Sequence, residues 1–254
     1  MLLHGTLRAM SAPRIHVQRP LAPGAEFALG AAATRHVQVL RLQPGDALTL
    51  FDGSGGQWAG VIGAISRREV RARTLHFEPV ERELARTVTL AVGMPANERM
   101  DALIEKATEI GAAHVQPLVC ERSVLRVAGE RALRKAAHWR AVAVAACEQC
   151  GRNRVPEIAE PMRMSDWLAS LGDAAAARWL LSTDEALPSP PPASGQRDVQ
   201  VLSGPEGGFT NEERALVRSQ ENVEAISLGP RILRAETAAL AALASFMTLA
   251  GDWR

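Results

Sequence analysis

The chain has 254 residues, a net charge of +1 and 47 % hydrophobic residues, a composition for one large or two modest globular domains with a substantial core. A charge this close to zero excludes a global field that would draw the whole molecule onto nucleic acid. No apolar run approaches the length of a membrane span, and no long apolar segment behind a basic start marks a secretory signal.

In chain order, residues 1–12 read as an N-terminal extension, disordered or due to a misplaced start codon, because Met10-Ser11-Ala12-Pro13 offers a second beginning. From 13 to 80, short apolar runs alternate with turn residues. Strands are expected at Ala47–Phe51, Trp58–Ile65 and Arg71–Phe77, with turns at Pro44-Gly45-Asp46 and Asp52–Gly56. This is a small β-rich barrel, a fold that by itself can serve packing or dimerisation.

Glu81–Arg86 is a charged linker, and over 86–254 the period changes. Val88–Val92 is a strand, and Asn97–Ile110 is a helix with Leu103, Ile104 and Ala107 on one face, stopped by Gly111. Val115–Val119 is a strand, Arg131–Glu148 a long amphipathic helix, Trp167 the centre of a short helix, and Trp179–Ser182 a strand. Leu187–Gly195 is a proline-rich loop. Strands alternating with helices predict a parallel sheet covered on both faces. Thr210 and Glu213 form a capping box. The last helix, Thr237–Ala250, is apolar on most faces and needs a second surface, which points to a homodimer.

Two segments of this half carry glycine loops, Leu202-Ser203-Gly204-Pro205-Glu206-Gly207-Gly208-Phe209-Thr210 and Ser227-Leu228-Gly229-Pro230-Arg231-Ile232-Leu233-Arg234-Ala235-Glu236-Thr237-Ala238. Each follows a short apolar run and leads into a helix, which places both loops at one edge of the sheet, where open α/β sheets bind ligands. A Walker A loop would need a lysine, and the dinucleotide fingerprint needs a different spacing at the first strand–helix turn. A loop rich in backbone groups and poor in side-chain cations suits a nearly neutral ligand such as an adenosine or a thioether; the alternative is a pair of tight turns with glycine at positive φ.

"GPEGG" followed by "LGPRILRAETA" resembles the C-terminal half of the SPOUT-class RNA methyltransferases, specifically the RsmE family. The stretches Glu98–Val124, Ala145–Ile158 and Pro13–Gly55 are similar to that family as well, so the resemblance spans nearly the whole chain. It implies a SPOUT-type parallel sheet with a C-terminal trefoil knot behind a PUA-like RNA-binding barrel. It further implies a homodimer and methylation of N3 of a uridine in small-subunit ribosomal RNA, with S-adenosylmethionine as donor. Leu202, Gly204, Leu228, Gly229 and Leu233 match the positions that hold the adenosyl part. Glu206, Gly207 and Gly208 complete the first loop, and Ser182 and Thr183 are expected on a third side, with Arg234 beside them.

Methylating N3 requires loss of a proton between two carbonyls, so a base and a cation are wanted. Glu236 and Glu206 are candidates for the base and Arg234 for the cation, with Arg152 reaching in from another loop or a partner subunit. Glu236 can equally be a first-turn carboxylate that stabilises its helix, Arg234 can be paired internally, and solvent hydroxide can replace a protein base. The basic residues are almost all arginine, with lysine only at Lys106 and Lys135, a bias that genome composition can also produce. RNA would be met by local arginines, with Arg14, Arg41, Arg152 and Arg154 as candidates; Arg67, Arg68, Arg71 and Arg73 form a further cluster, and such clusters are more often solvated faces.

Cys147-x-x-Cys150 and Cys120 lack the further ligands that zinc would need and read as structural thiols of a reducing cytoplasm. His36, His76, His114 and His138 have no ligand spacing, so no metal is expected. Two competing readings share the fold: a ribose 2′-O-methyltransferase, and a noncatalytic RNA-binding ribosome assembly factor. "AET" after Arg234 and the "GPEGG" loop favour the uridine family, and intact loop glycines argue against a vestigial pocket.

Overall fold

The computed structural model describes residues 12–171, 176–183 and 198–250. Most of the expected extension and all of the proline-rich loop Leu187–Gly195 lie outside them. The chain divides into two compact units: one runs to Arg82 and takes in Glu148–Arg154, and the other comprises Glu83–Cys147 and the chain from Val155 onward. Residues 148–154 therefore belong with the N-terminal unit, although they lie within the sequence range 86–254.

The first unit contains β1 (Arg14–His16), β2 (Glu26–Ala28), α1 (Ala31–Val39), β3 (Ala47–Phe51), β4 (Gln57–Ile65) and β5 (Val70–Glu78). Its sheet has the order β1-β3-β4-β5-β2, with β1 parallel to β3 and the other pairs antiparallel. Alternation sets the faces: Val70, Ala72 and Thr74 of β5 are buried, whereas Arg73 and Leu75 are exposed. The core joins Ile15, Phe27, Leu48, Leu50, Ile62 and Val70 to Ala33 and Val37 of α1. That helix was not expected from the sequence. Nine residues are too few to be stable alone, and burial of Ala33 and Val37 supplies what propensity does not.

The second unit contains β6 (Val88–Gly93), α2 (Asn97–Ile110), β7 (His114–Val119), α3 (Gly129–Cys150, whose last residues pass into the first unit), β8 (Glu157–Ile158), β9 (Met162–Arg163), α4 (Met164–Ser170), β10 (Ala177–Ser182), β11 (Val199–Ser203), α5 (Asn211–Arg218), β12 (Val223–Ser227) and α6 (Ala235–Ala250). The sheet is parallel throughout, in the order β12-β10-β11-β6-β7-β8, with β9 also paired to β7. The expected α/β architecture is therefore present. Both faces are covered, as continuous apolar strands require. Leu90, Trp179 and Val201 point into one core with Leu103 and Ile104 of α2, Trp139 of α3 and Phe246 of α6. Their sequence neighbours Ala91, Leu180 and Leu202 point into the other, with Trp167, Phe209 and Val217.

Gly111 ends α2 in the left-handed region at φ 112°, as its position suggested. The last helix begins two residues earlier than expected, at Ala235, and Ala239, Ala242, Leu243, Phe246 and Met247 bury one face within its own chain, against α2, β6 and β11. Among the described residues no helix is long and apolar enough to cross a membrane, and no group of three or more His, Cys, Asp or Glu could hold a metal ion.

Candidate active site

From β6 the chain runs outward through β7 and β8, then returns on the other side of β6 as β11, β10 and β12. Ligands of open α/β sheets bind beyond the C-terminal strand ends where the order reverses in this way. The segments that follow β6, β10, β11 and β12 converge there. The approach is close: a Cβ on Gly93, which ends β6, would stand 2.4 Å from Cδ of Pro205 in the first glycine loop.

A cavity of about 370 Å³ opens at this edge, within the range of small-molecule sites, roughly 300–1,000 Å³. Ser182, Thr183, Gly204, Glu206, Gly208, Leu228, Gly229, Leu233 and Arg234 all line it, so the structure brings together nine of the expected site residues. Gly204 keeps the first loop tight, since a Cβ there would lie 3.3 Å from both Gly208 Cα and Phe209 N. Gly229 adopts φ 97°, a conformation that L side chains rarely take, with open space where a Cβ would project.

Two expected cofactor residues are not at the cavity wall. Leu202 is 0 % exposed and belongs to the sheet core. Gly207 faces the segment after β7, where its carbonyl accepts a 3.1 Å hydrogen bond from Arg122 and a Cβ would lie 2.8 Å from Arg122 Cβ. Period 2 explains the first: Ser203 lines the cavity, and Leu202, one residue earlier, turns its side chain into the core.

The charged residues fall into two groups. Arg234 and Arg231 are exposed, line the cavity and have no ion-pair partner among the described residues. The two carboxylates are anchored instead. Oε1 of Glu206 accepts hydrogen bonds from the backbone N–H of Ala96 (3.0 Å) and from Arg99 (3.4 Å) at the start of α2. Glu236 does not line the cavity; its Oε1 lies 3.9 Å from Arg99 Nε, and its Oε2 is buried without a hydrogen-bond partner among the described residues. The sequence reading missed Arg99, Ser203 and Arg214, which also line the cavity. Arg99 sits about a hundred residues upstream of the loops, so only the crossover of the parallel sheet delivers it.

The arginines expected to meet RNA differ as sharply. Arg14 donates to Gln57 Oε1 (2.8 Å), the Arg152 carbonyl (2.9 Å) and Asn153 Oδ1 (2.6 Å), and its guanidinium stacks 4.8 Å from the Phe51 ring centroid. Arg152 is 4 % exposed. The Arg14 hydrogen bonds tie residues 148–154 into the first unit, with Arg14 half-buried and Arg152 buried. Near them, Glu148 accepts from the His16 backbone N–H (2.9 Å) and lies 3.0 Å from His36 Nδ1, and burial lowers the His16 pKa. Arg154 is half exposed and pairs with Glu81 at 3.1 Å, whereas Arg41, just past α1 at φ 56°, is exposed with no side-chain partner among the described residues.

Comparison with known proteins agrees with this geometry. Residues 82–247 match the family model of an RNA methyltransferase domain, and residues 29–75 match that of an RNA methyltransferase PUA domain. A Rickettsia conorii protein named ribosomal RNA small subunit methyltransferase E is 30 % identical over 93 % of this chain and 95 % of its own. The structure of a Neisseria gonorrhoeae ribosomal RNA small subunit methyltransferase E bound to S-adenosyl methionine is similar at a TM-score of 0.87, with 32 % identity over 94 % of this chain and 98 % of that one. A Legionella pneumophila methyltransferase structure in complex with the same cofactor is similar at 0.83, again with 32 % identity, over 93 % and 97 % of the two chains. With both units matched and the loop-lined cavity in place, the chain belongs to the ribosomal RNA small subunit methyltransferase E family of RNA methyltransferases.

Proposed function

We propose that this chain transfers a methyl group from S-adenosylmethionine to N3 of a uridine in small-subunit ribosomal RNA. The carrying observation is the cavity built from two glycine loops at the C-terminal sheet edge, in a chain whose structural neighbours hold S-adenosylmethionine. The residues present fit that cofactor. Main-chain groups exposed by Gly204 and Gly229 and the apolar surfaces of Leu228 and Leu233 suit an adenosyl moiety, and no lysine lines the cavity to favour a polyphosphate. When bound, S-adenosylmethionine supplies a methyl carbon already activated by its sulfonium.

The chain's own residues bind, orient and compensate charge. Arg234, exposed at the cavity and without an ion-pair partner among the described residues, holds the negative charge that spreads over the uracil carbonyls when the N3 proton leaves. Glu206 and Glu236, engaged by the start of α2, serve as positioning groups, and the proton passes to a solvent base. RNA phosphates are met by exposed arginines of the first unit, Arg41 and Arg154 among them. The functional form in this reading is a cytoplasmic homodimer with a knotted C-terminal path. A 3.4 Å hydrogen bond from Ser203 Oγ to the Ala235 carbonyl brings the start of α6 beside the end of β11.

The test begins with titration calorimetry of S-adenosylmethionine, with ATP and NAD as controls. Incubation with naked RNA and with small ribosomal subunits follows, and nucleosides are then analysed. Selective binding and N3-methyluridine are expected. A 2′-O-methylated ribose would transfer the assignment to that chemistry, and binding without transfer to either substrate would make the chain a noncatalytic assembly factor.

A further inference from the structure

We infer that Arg99 is a positioning residue of this methyltransferase, latching both cofactor loops to the start of α2 through Glu206 and Glu236. The inference rests on the cofactor reading above and deepens it. The two loops belong to different strand–helix corners, and their geometry relative to each other decides the shape of the cavity between them. Arg99 reaches both. Its Nη1 lies 3.4 Å from Glu206 in the first loop, and its Nε lies 3.9 Å from Glu236 in the first turn after the second. Arg99 itself lines the cavity, and it is only 40 % exposed at the side chain, with Glu206 and Glu236 at 24 % and 16 %.

The two ends of the latch are not equally secured. Glu206 has a second tether in the backbone N–H of Ala96 at 3.0 Å. Glu236 has Arg99 as its charged neighbour, and its Oε2 is buried with no donor among the described residues. A buried carboxylate oxygen left unsatisfied is costly. Arg99, an ion-pair partner of Oε1 at 3.9 Å, is the positive charge that offsets this cost and holds the carboxylate, and with it the second loop, in place. A guanidinium suits this task because its planar fork presents Nε and Nη donors in fixed directions to two carboxylates at once, whereas an ammonium is a point charge on a flexible stem.

The test measures S-adenosylmethionine affinity by calorimetry in Arg99→Ala, Arg99→Lys, Glu206→Gln/Glu236→Gln and the triple variant Arg99→Ala/Glu206→Gln/Glu236→Gln, with urea unfolding of each. Arg99→Ala is expected to weaken binding about tenfold, the size of a typical coupling between contacting charged groups. Arg99→Lys is expected to recover part of that loss. In the Glu206→Gln/Glu236→Gln background, removing Arg99 should change affinity less than threefold, because the groups it acts through are gone.

A wild-type affinity in Arg99→Ala overturns the inference, even where unfolding shifts to lower urea, since that pattern marks a merely structural arginine. A full tenfold loss that persists without the two carboxylates also overturns it, because Arg99 would then touch the ligand directly. Should the wild-type protein bind no S-adenosylmethionine, the cofactor reading fails. The latch is then read from the urea midpoints, where additive effects of the arginine and carboxylate changes overturn it and non-additive effects support it.

Discussion

The two glycine loops share an edge of the sheet and the Arg99 contact, but the first carries many more tethers than the second. The first is tied at every turn. Thr210 Oγ1 accepts from the Glu213 N–H at 3.1 Å, Glu213 accepts in return from the Thr210 N–H at 2.8 Å, and the other oxygen of Glu213 accepts from the Glu121 N–H at 2.9 Å. Glu206 is bound to Ala96, and the Gly207 carbonyl to Arg122. The second loop carries a 3.3 Å hydrogen bond from the Gly229 N–H to Ser227 Oγ, then presents Arg231, Ile232 (87 % exposed) and Arg234 outward. A tied loop forms a fixed wall for a ligand. A loop with free side chains is the part available to meet a second, larger substrate.

That division can be broken most forcefully at Gly229. Gly229→Val places a β-branched side chain at φ 97°, a strain of about 1–3 kcal/mol, and relieving it by moving the second loop is expected to cost up to about 100-fold in S-adenosylmethionine affinity. Calorimetry on a folded variant decides it, and unchanged affinity would remove the second loop from the cofactor site. Arg234→Ala should leave cofactor affinity intact yet lower kcat by about 10²–10³, the usual cost of deleting a donor that stabilises developing charge. An equal loss in both quantities would move Arg234 from the substrate side to the cofactor side.

Smaller effects probe the tied loop. Thr210→Ala should lower the unfolding free energy by about 1 kcal/mol, the typical worth of an N-cap, and denaturant titration would show it. Cys120 reports on the same anchorage: burial, followed by the nearby Glu213 carboxylate, pushes its thiol pKa up to about 12. Iodoacetamide at pH 8 should therefore leave it unmodified in the native protein, with slow labelling appearing in Thr210→Ala. Rapid labelling of the unaltered chain would show that the first loop opens readily.

Much of the tied loop was legible in the sequence. The Thr210–Glu213 spacing is a capping signature, Gly111 sits where a helix must stop, and the apolar runs of β6, β10 and β11 announce a parallel sheet buried on both faces. Other features were not. The helix α1 depends on packing rather than propensity, and β8 and β9, two residues each, carry no period at all. Arg14 and Arg152 have the sequence signature of surface cations, yet one is spent on three internal acceptors and the other is buried. A basic residue's type fixes its charge, not the direction in which it points.

The sequence by itself determined the two-part organisation, the parallel sheet, the two loops and their glycines, because these follow from periodicity, from caps and from φ angles that glycine tolerates. Tertiary structure alone decided which charges stand free. Crossovers in a parallel sheet bring together segments as distant as Arg99 and Glu236, and the resulting contact occupies two carboxylates while leaving Arg234 exposed. Such pairings depend on strand order, which a linear pattern of residue types does not encode.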